Sequence, residues 1–248
     1  GCQAGRDSVS LCANTLIGME TGACLCNGSH NIAMGQYTMR GSSTLSDNTA
    51  ANNIALGQET LKVISSGSYN VAIGKGAGEA LTSGNNNFLG GQEAGYVLTT
   101  SSNSIIIGKD AGKEATYGCN IIMGLNASRM GTDHRFDVIM GYCAGYGVTG
   151  CSGGNTNVFI GNEAGKCIQT GLCNVFIGAC AGKAVTSGSE NISIGKNSGL
   201  SLSSGANNVL IGHGAGDAVT TGSNYIAIGN NALSAEDTAG SGAVAIGY

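Results

Sequence analysis

A glycine recurs at nearly constant spacing along the whole chain, and this repeat constrains the fold more than any other feature. Most successive glycines of this set lie 17 residues apart, with extremes of 16 and 22. We call them the anchor glycines: Gly18, Gly35, Gly57, Gly74, Gly91, Gly108, Gly124, Gly141, Gly161, Gly178, Gly195, Gly212, Gly229 and Gly247. Such a repeat is typical of solenoids, in which each coil is stable only when stacked on its neighbours.

The residues around each anchor predict a short strand followed by turns. In the stretch 70–78, Asn-Val-Ala-Ile-Gly-Lys-Gly-Ala-Gly, the residues before the anchor alternate at period two, which indicates a strand. The anchor and a second glycine four residues later supply bends. About seventeen residues are too few for a helix plus a strand. The sequence therefore predicts an all-β, parallel β-solenoid of about 14 coils, with residues 1–248 as a single repeat domain cut from a longer fibre.

Three rows of side chains are expected to build the coil interior and its turns. Val71 and Ile73 represent the predicted core row, lined by Ala77 and closed by Leu81. An asparagine opens most strands, and a ladder of its amides would satisfy backbone groups of the turns. The ladder positions are Asn70, Asn87, Asn157, Asn174, Asn191 and Asn208.

A second apolar row lies two residues before the anchors, where a strand would direct it away from that core. It holds Leu16, Leu89, Ile106, Ile122, Ile139, Phe159, Phe176 and Leu210. A soluble monomer rarely leaves such a strip bare, and covering it would contribute roughly 1.5–3 kcal/mol per side chain. We expect this row to contact identical copies of the chain about one axis. The alternative is a flattened coil in which these side chains also point inward.

The motifs resemble those of two groups of fibrous proteins. Asn-Val-Ala-Ile-Gly at 70–74, Asn-Val-Phe-Ile-Gly-Asn-Glu-Ala-Gly at 157–165 and Tyr-Ile-Ala-Ile-Gly at 225–229 are similar to repeats of trimeric autotransporter adhesin heads, and more so to repeats of phage tail fibres. The resemblance implies a parallel homotrimer of β-solenoids without catalytic residues. The longer repeat and the ten cysteines depart from both groups.

Composition excludes several other classes. Only 10% of residues are charged, proline is absent and glycine numbers 44, which is unusual for a compact enzyme. The net charge of −4 and the unclustered Lys and Arg residues argue against nucleic-acid binding. No apolar run is long enough for membrane insertion. Gly-x-Gly fragments lack the strand–helix setting of a nucleotide site, so we expect no cofactor.

The cysteines leave two alternatives open, and metal binding has little support. The ten cysteines are either buried free thiols, as in a reducing cytoplasm, or include some local disulfides. Cys24, Cys26 and His30 faintly resemble a metal site but lack a second ligand pair at zinc spacing. We predict no metal site.

Two breaks in the period are candidate binding loops, near residues 40–52 and 150–156. Tyr96, Tyr142 and Tyr146 are candidate receptor contacts, because tyrosine rings stack on sugars. Other fibre segments, tail proteins, or a host-surface glycan or protein are the expected partners.

We therefore expect a structural segment of a viral tail fibre or surface adhesin that takes part in host attachment, located on a virion or cell surface. One alternative is an ice-binding solenoid, which would need a regular threonine array. A bacterial trimeric autotransporter adhesin head is a second alternative. A glycan lyase would need a charged groove, and none is evident.

Overall fold

The computed structural model describes residues 1–7, 13–42, 48–132, 134–147, 154–235 and 242–248. These residues form fourteen parallel three-residue strands and no helix. The strands are β1 Thr15–Ile17, β2 Ile32–Met34, β3 Ile54–Leu56, β4 Val71–Ile73, β5 Phe88–Gly90, β6 Ile105–Ile107, β7 Ile121–Met123, β8 Val138–Met140, β9 Val158–Ile160, β10 Val175–Ile177, β11 Ile192–Ile194, β12 Val209–Ile211, β13 Ile226–Ile228 and β14 Val244–Ile246.

Strand order follows sequence order, and equivalent residues of successive coils lie side by side. Val175 of β10, for example, pairs with Val158 of β9 and with Ile192 of β11. The prediction of an all-β parallel solenoid with a repeat of about 17 residues is confirmed. The chain forms two compact units, Gly1–Asn120 with β1–β6 and Ile121–Tyr248 with β7–β14. Whether the repeat is a single domain stays a prediction.

Each coil turns through a set of backbone positions with positive φ. In the coil around Gly91 these are Asn86, the anchor itself, Glu93 and Gly95, with φ values of 58°, 126°, 57° and 59°. The anchor tolerates no side chain, because a Cβ there would lie 2.6 Å from the carbonyl oxygen of the next anchor, Gly108. Glycine spacing therefore reflects close backbone contact between neighbouring coils.

The middle residue of each strand points into the coil of its own chain, which corrects the predicted outward row. Leu89, Ile106, Ile122, Ile139, Phe159, Phe176 and Leu210 are fully buried, and Leu16 is half-buried in the first coil. Conversely, Val71 is half-buried and Ile73 is 43% exposed. The prediction assigned two inward residues to each strand, but a three-residue strand in so narrow a coil directs only its middle side chain inward. The flattened-coil alternative is also wrong for the flanking residues, which remain exposed.

The remaining interior positions follow the prediction. Ala77 and Leu81 are fully buried, as are their equivalents in other coils, Ala181, Val185, Ala215 and Val219. Phe159 and Phe176 stack in neighbouring coils with ring centroids 5.2 Å apart and planes 12° apart. An apolar column therefore runs through the coils of the second unit and is interrupted at β11 by the buried Ser193.

Buried asparagines form a ladder beside this column. The backbone N–H and the side-chain amide of Asn87 both donate to Oδ1 of Asn70 at 3.0 Å, and Nδ2 also donates to the carbonyl of Ser101 at 2.8 Å. The same pattern joins Asn174, Asn191 and Asn208. Each amide thus connects successive coils and satisfies buried backbone groups.

One rung of the ladder is an acid–base pair. Asp137 occupies the asparagine position, and its Oδ1 accepts a hydrogen bond from the backbone N–H of Asn157 at 2.6 Å. Its Oδ2 lies 2.6 Å from Nδ1 of His134, which stands where most other coils have glycine. Both side chains are buried.

Candidate functional site: the exposed apolar face and its edges

The first and third residues of every strand point outward and form a surface that we call the apolar face. All of these positions hold large apolar side chains except Thr15 and Gly90. Ile73, Ile105 and Ile121 are 43%, 42% and 38% exposed. The apolar face is the feature that sequence reasoning placed on the wrong rows. The alternation of side-chain direction along a strand could have located the apolar face. Asn70 and Ala72 are two residues apart, so their side chains must lie on the same, buried side of the strand.

The area of the apolar face follows from strand geometry in each unit. Strands lie about 4.8 Å apart and rise about 3.3 Å per residue. Eight strands of three residues therefore present roughly 400 Å² in the second unit, and the six strands of the first unit present roughly 300 Å². No Asp, Glu, Lys or Arg interrupts either surface. The largest apolar patch of a typical soluble monomer has a similar area and is often functional, which makes each surface a candidate interaction site.

Two rows of side chains border the apolar face. The upstream edge row consists of the residue five positions before each anchor, such as Tyr69, Phe136 and Glu190. The downstream edge row consists of the residue directly after each anchor, such as Lys75 and Tyr142. Tyr69, Phe136 and Tyr142 are 63%, 65% and 49% exposed, and Glu190 and Lys75 are also exposed. The edges, unlike the face, vary in charge and polarity along the chain.

Most ion pairs lie away from the face, at the second and fifth residues after the anchors. Nζ of Lys62 contacts Glu59 at 3.2 Å and Glu79 at 3.1 Å, so it joins two coils. Glu163 similarly contacts Lys166 at 2.6 Å and Lys183 at 2.7 Å. Hydrogen bonds from these two ammonium groups lower the pKa of Glu163 from 4.5 to about 2. These pairs connect coils and leave the apolar face free of charge.

The three candidate receptor tyrosines do not form one cluster. Tyr142 is exposed on the downstream edge row, whereas Tyr146 is half-buried and its hydroxyl accepts a hydrogen bond from Arg129 at 3.1 Å. Tyr96, in the first unit, is half-buried, and the ring lies 5.8 Å from Nζ of Lys113. The negative charge of Glu79 raises the pKa of the Tyr96 phenol. Their role in receptor binding stays a prediction.

The described cysteines are free thiols, and several are buried. Cys24, Cys26 and Cys143 are buried, and burial raises the pKa of the Cys24 thiol. Cys12 and Cys151 lie outside the described residues. Within the described ranges, no three His, Cys, Asp or Glu side chains are grouped in a way that could hold a metal ion.

The candidate binding loops are only partly described. Residues 43–47 and 150–153 fall outside the described ranges. Beside the first loop, Asn48 donates from Nδ2 to the carbonyl of Cys24 at 2.7 Å. The described parts of the chain also contain no helix with the length and apolar character needed to cross a membrane.

Comparison with known proteins gives no relative for this chain. A scan of protein-family models, a search of curated proteins and a search of solved structures each found no match.

Proposed function

We propose that the chain is a non-catalytic structural segment of a fibre, assembled through the apolar face into a parallel homotrimer. Such a fibre would belong to a viral tail or to a surface adhesin and would act in host attachment from a virion or cell surface. The single observation that carries the proposal is the apolar face, which contains no charged side chain in either unit. An isolated chain would leave that surface in water.

The energetics favour assembly over an exposed face. Complete burial of a large aliphatic side chain contributes about 1.5–3 kcal/mol. Ile73, Ile105 and Ile121 keep about two fifths of their surface exposed, so covering each would add roughly 0.5–1 kcal/mol. Summed over the strands, complete covering would contribute a gain comparable with or greater than the cost of association, which is on the order of 4–15 kcal/mol.

The rest of the coil suits a mechanical role. The asparagine ladder, the ion pairs between coils and the anchor contacts all join one coil to the next. A segment built in this way would resist bending and proteolysis, because repeated backbone hydrogen bonds also join each described coil to the next. Receptor contact would come from loops or from other segments of the fibre.

Light scattering tests the proposal directly. We expect a molar mass of three chains, unchanged by a reducing agent. Ile194→Glu, which places a charge on the apolar face, should give monomers. Ser187→Glu is the matched control, because Ser187 is an exposed turn residue of the same coil and lies outside the face; this variant should remain trimeric. A monomeric wild-type chain, or an Ile194→Glu variant that still forms trimers, would refute the proposed assembly.

Ice binding finds less support in the arrangement of hydroxyl groups. Thr82 and Thr186 donate their hydroxyls to carbonyls of the following coil, at 2.9 Å from Thr99 and 3.2 Å from Ser203. Serine replaces threonine at equivalent places, such as Ser65. A thermal-hysteresis assay would distinguish ice binding from the structural role.

A further inference from the structure

The two edge rows match each other in chemistry within the same coil. Phe136 and Tyr142 are both aromatic and lie at opposite edges of the coil that contains β8. Glu190 and Lys196 are oppositely charged and flank β11. This relation is unexpected for two rows separated by the width of the apolar face.

Other coils show the same matching. Tyr69 belongs to the upstream edge row, like Phe136. The downstream edge residue in the coil of Tyr69 is Lys75, a cation that an aromatic ring attracts. In the coil that contains β13, both edge residues are asparagines, Asn224 and Asn230. In most coils, apolar, charged and polar edge residues thus have a counterpart of suitable chemistry; Lys109, opposite the uncharged Asn103, is an exception.

Contact within one chain does not explain the matching. Glu190 and Lys196 are six residues apart, with the extended strand β11 between them, and such a segment spans up to about 20 Å. An ion pair needs a nitrogen–oxygen distance of about 4 Å or less. The structure contains no ion pair between these two described residues, and both are exposed.

We infer that the apolar face is covered by further copies of this chain, parallel and in register, so that the upstream edge row of each copy contacts the downstream edge row of the next. This inference rests on the proposed homotrimer and specifies the register and the edge residues that set it. The geometry follows from symmetry. Rotation about an axis parallel to the coil stack keeps every residue at its own height, and a closed ring brings one edge of each copy against the other edge of its neighbour.

The register has a chemical basis in this arrangement. The apolar face alone is nearly uniform along the stack, so a slip by one coil would still bury aliphatic side chains. The edges are not uniform: a slip by one coil would place Glu190 against Ala179 or His213 instead of Lys196. Charge and aromatic pairs at the edges therefore select one register, as flanking charges do in other assemblies.

A charge-reversal cycle tests the register. Glu190→Lys and Lys196→Glu should each raise the dissociation constant of the assembly at least tenfold, because like charges would meet at every contact. The double variant restores opposite charges and should return the constant to within about threefold of wild type. Sedimentation equilibrium at low ionic strength measures all four proteins, and added salt should reduce the differences.

A matched pair provides the control. Lys109 belongs to the same downstream edge row, but its coil has Asn103 at the other edge. Lys109→Glu combined with Glu190→Lys should show additive effects without rescue. The inference is supported if Lys196→Glu, and not Lys109→Glu, restores the affinity of the Glu190→Lys variant. The register is wrong if the wild type is trimeric but the double variant Glu190→Lys/Lys196→Glu has a dissociation constant raised by the product of the two single-variant factors. That result would leave the proposed fibre role intact. A monomeric wild type overturns both.

Discussion

Two adjacent glycines in β5 and its turn should respond oppositely to the same substitution. Gly91 is an anchor with φ of 126°, and a Cβ there would lie 2.6 Å from the oxygen and 2.7 Å from the carbon of the Gly108 carbonyl. Gly90 precedes it on the apolar face, without a positive φ. A Cβ there would lie 3.4 Å from the ring of Phe88 and 3.8 Å from Ile107, which are ordinary contact distances.

The geometry sets the size of each effect. At Gly91 the opposing atoms are backbone, which cannot rotate away, so overpacking costs about 1–3 kcal/mol. The unfavourable φ adds roughly 1–3 kcal/mol. Gly91→Ala should therefore lower the free energy of unfolding by about 2–6 kcal/mol. Gly90→Ala should raise it by about 0.4–1 kcal/mol, because alanine reduces the entropy of the unfolded chain without strain.

Chemical denaturation followed by circular dichroism measures both free energies. The proteins must be compared at equal chain concentration, since assembly makes stability depend on concentration. The reasoning fails if Gly91→Ala costs less than about 1 kcal/mol, or if Gly90→Ala is as damaging as its neighbour.

Three further perturbations address the interior and the charged rows. Phe176→Ala should lower the free energy of unfolding by about 3–5 kcal/mol, because it removes a fully buried ring from a stacked pair; a loss below 1 kcal/mol by denaturation would contradict the buried column. Glu163 has its pKa lowered from 4.5 to about 2, so its contribution is present above pH 4.5 and is lost as pH falls towards 2. Between pH 4.5 and 2, the free energy of unfolding of Glu163→Gln should fall by roughly 1 kcal/mol less than that of the wild type, after allowance for solvent screening. Identical acid unfolding curves for the two proteins would exclude the effect. His134→Gly alone should cost about 3–5 kcal/mol, because it removes the buried imidazole that contacts Oδ2 of Asp137. His134→Gly combined with Asp137→Asn recreates the combination found in other coils and should cost less, and thermal melts of the wild type and both variants decide this.

The repeat made the fold predictable, whereas the direction of its side chains was harder to obtain. Anchor spacing and period-two alternation were sufficient for a parallel β-solenoid, and the asparagine positions were sufficient to suggest a ladder. The apolar rows were ambiguous because both the middle and the flanking residues of each strand are aliphatic, as in Ile105–Ile107. Hydrophobicity alone cannot separate an inner row from an outer one in such a strand. The His134–Asp137 pair was also missed, because its two residues lie on a turn that the sequence presents as charged and solvated.

Covariation between two positions of the coil resolves that ambiguity. Where the middle strand residue is large, as at Leu89, the residue four after the anchor is glycine, or serine in the coil of Ile122, and a Cβ on Gly95 would lie 3.2 Å from Leu89. Where the middle residue is alanine, as at Ala33 and Ala55, the same position holds Met39 and Leu61, which are fully buried. Ala72 is an exception: its coil has Gly78, and Leu61 and Leu89 of the neighbouring coils fill the space beside it. The two positions thus share one interior volume, as close packing requires. Only inward residues have reason to compensate for each other in this way, so the middle row is the core of its own chain. The flanking rows are then the exposed surface of the chain, and we propose that further copies of the same chain cover it.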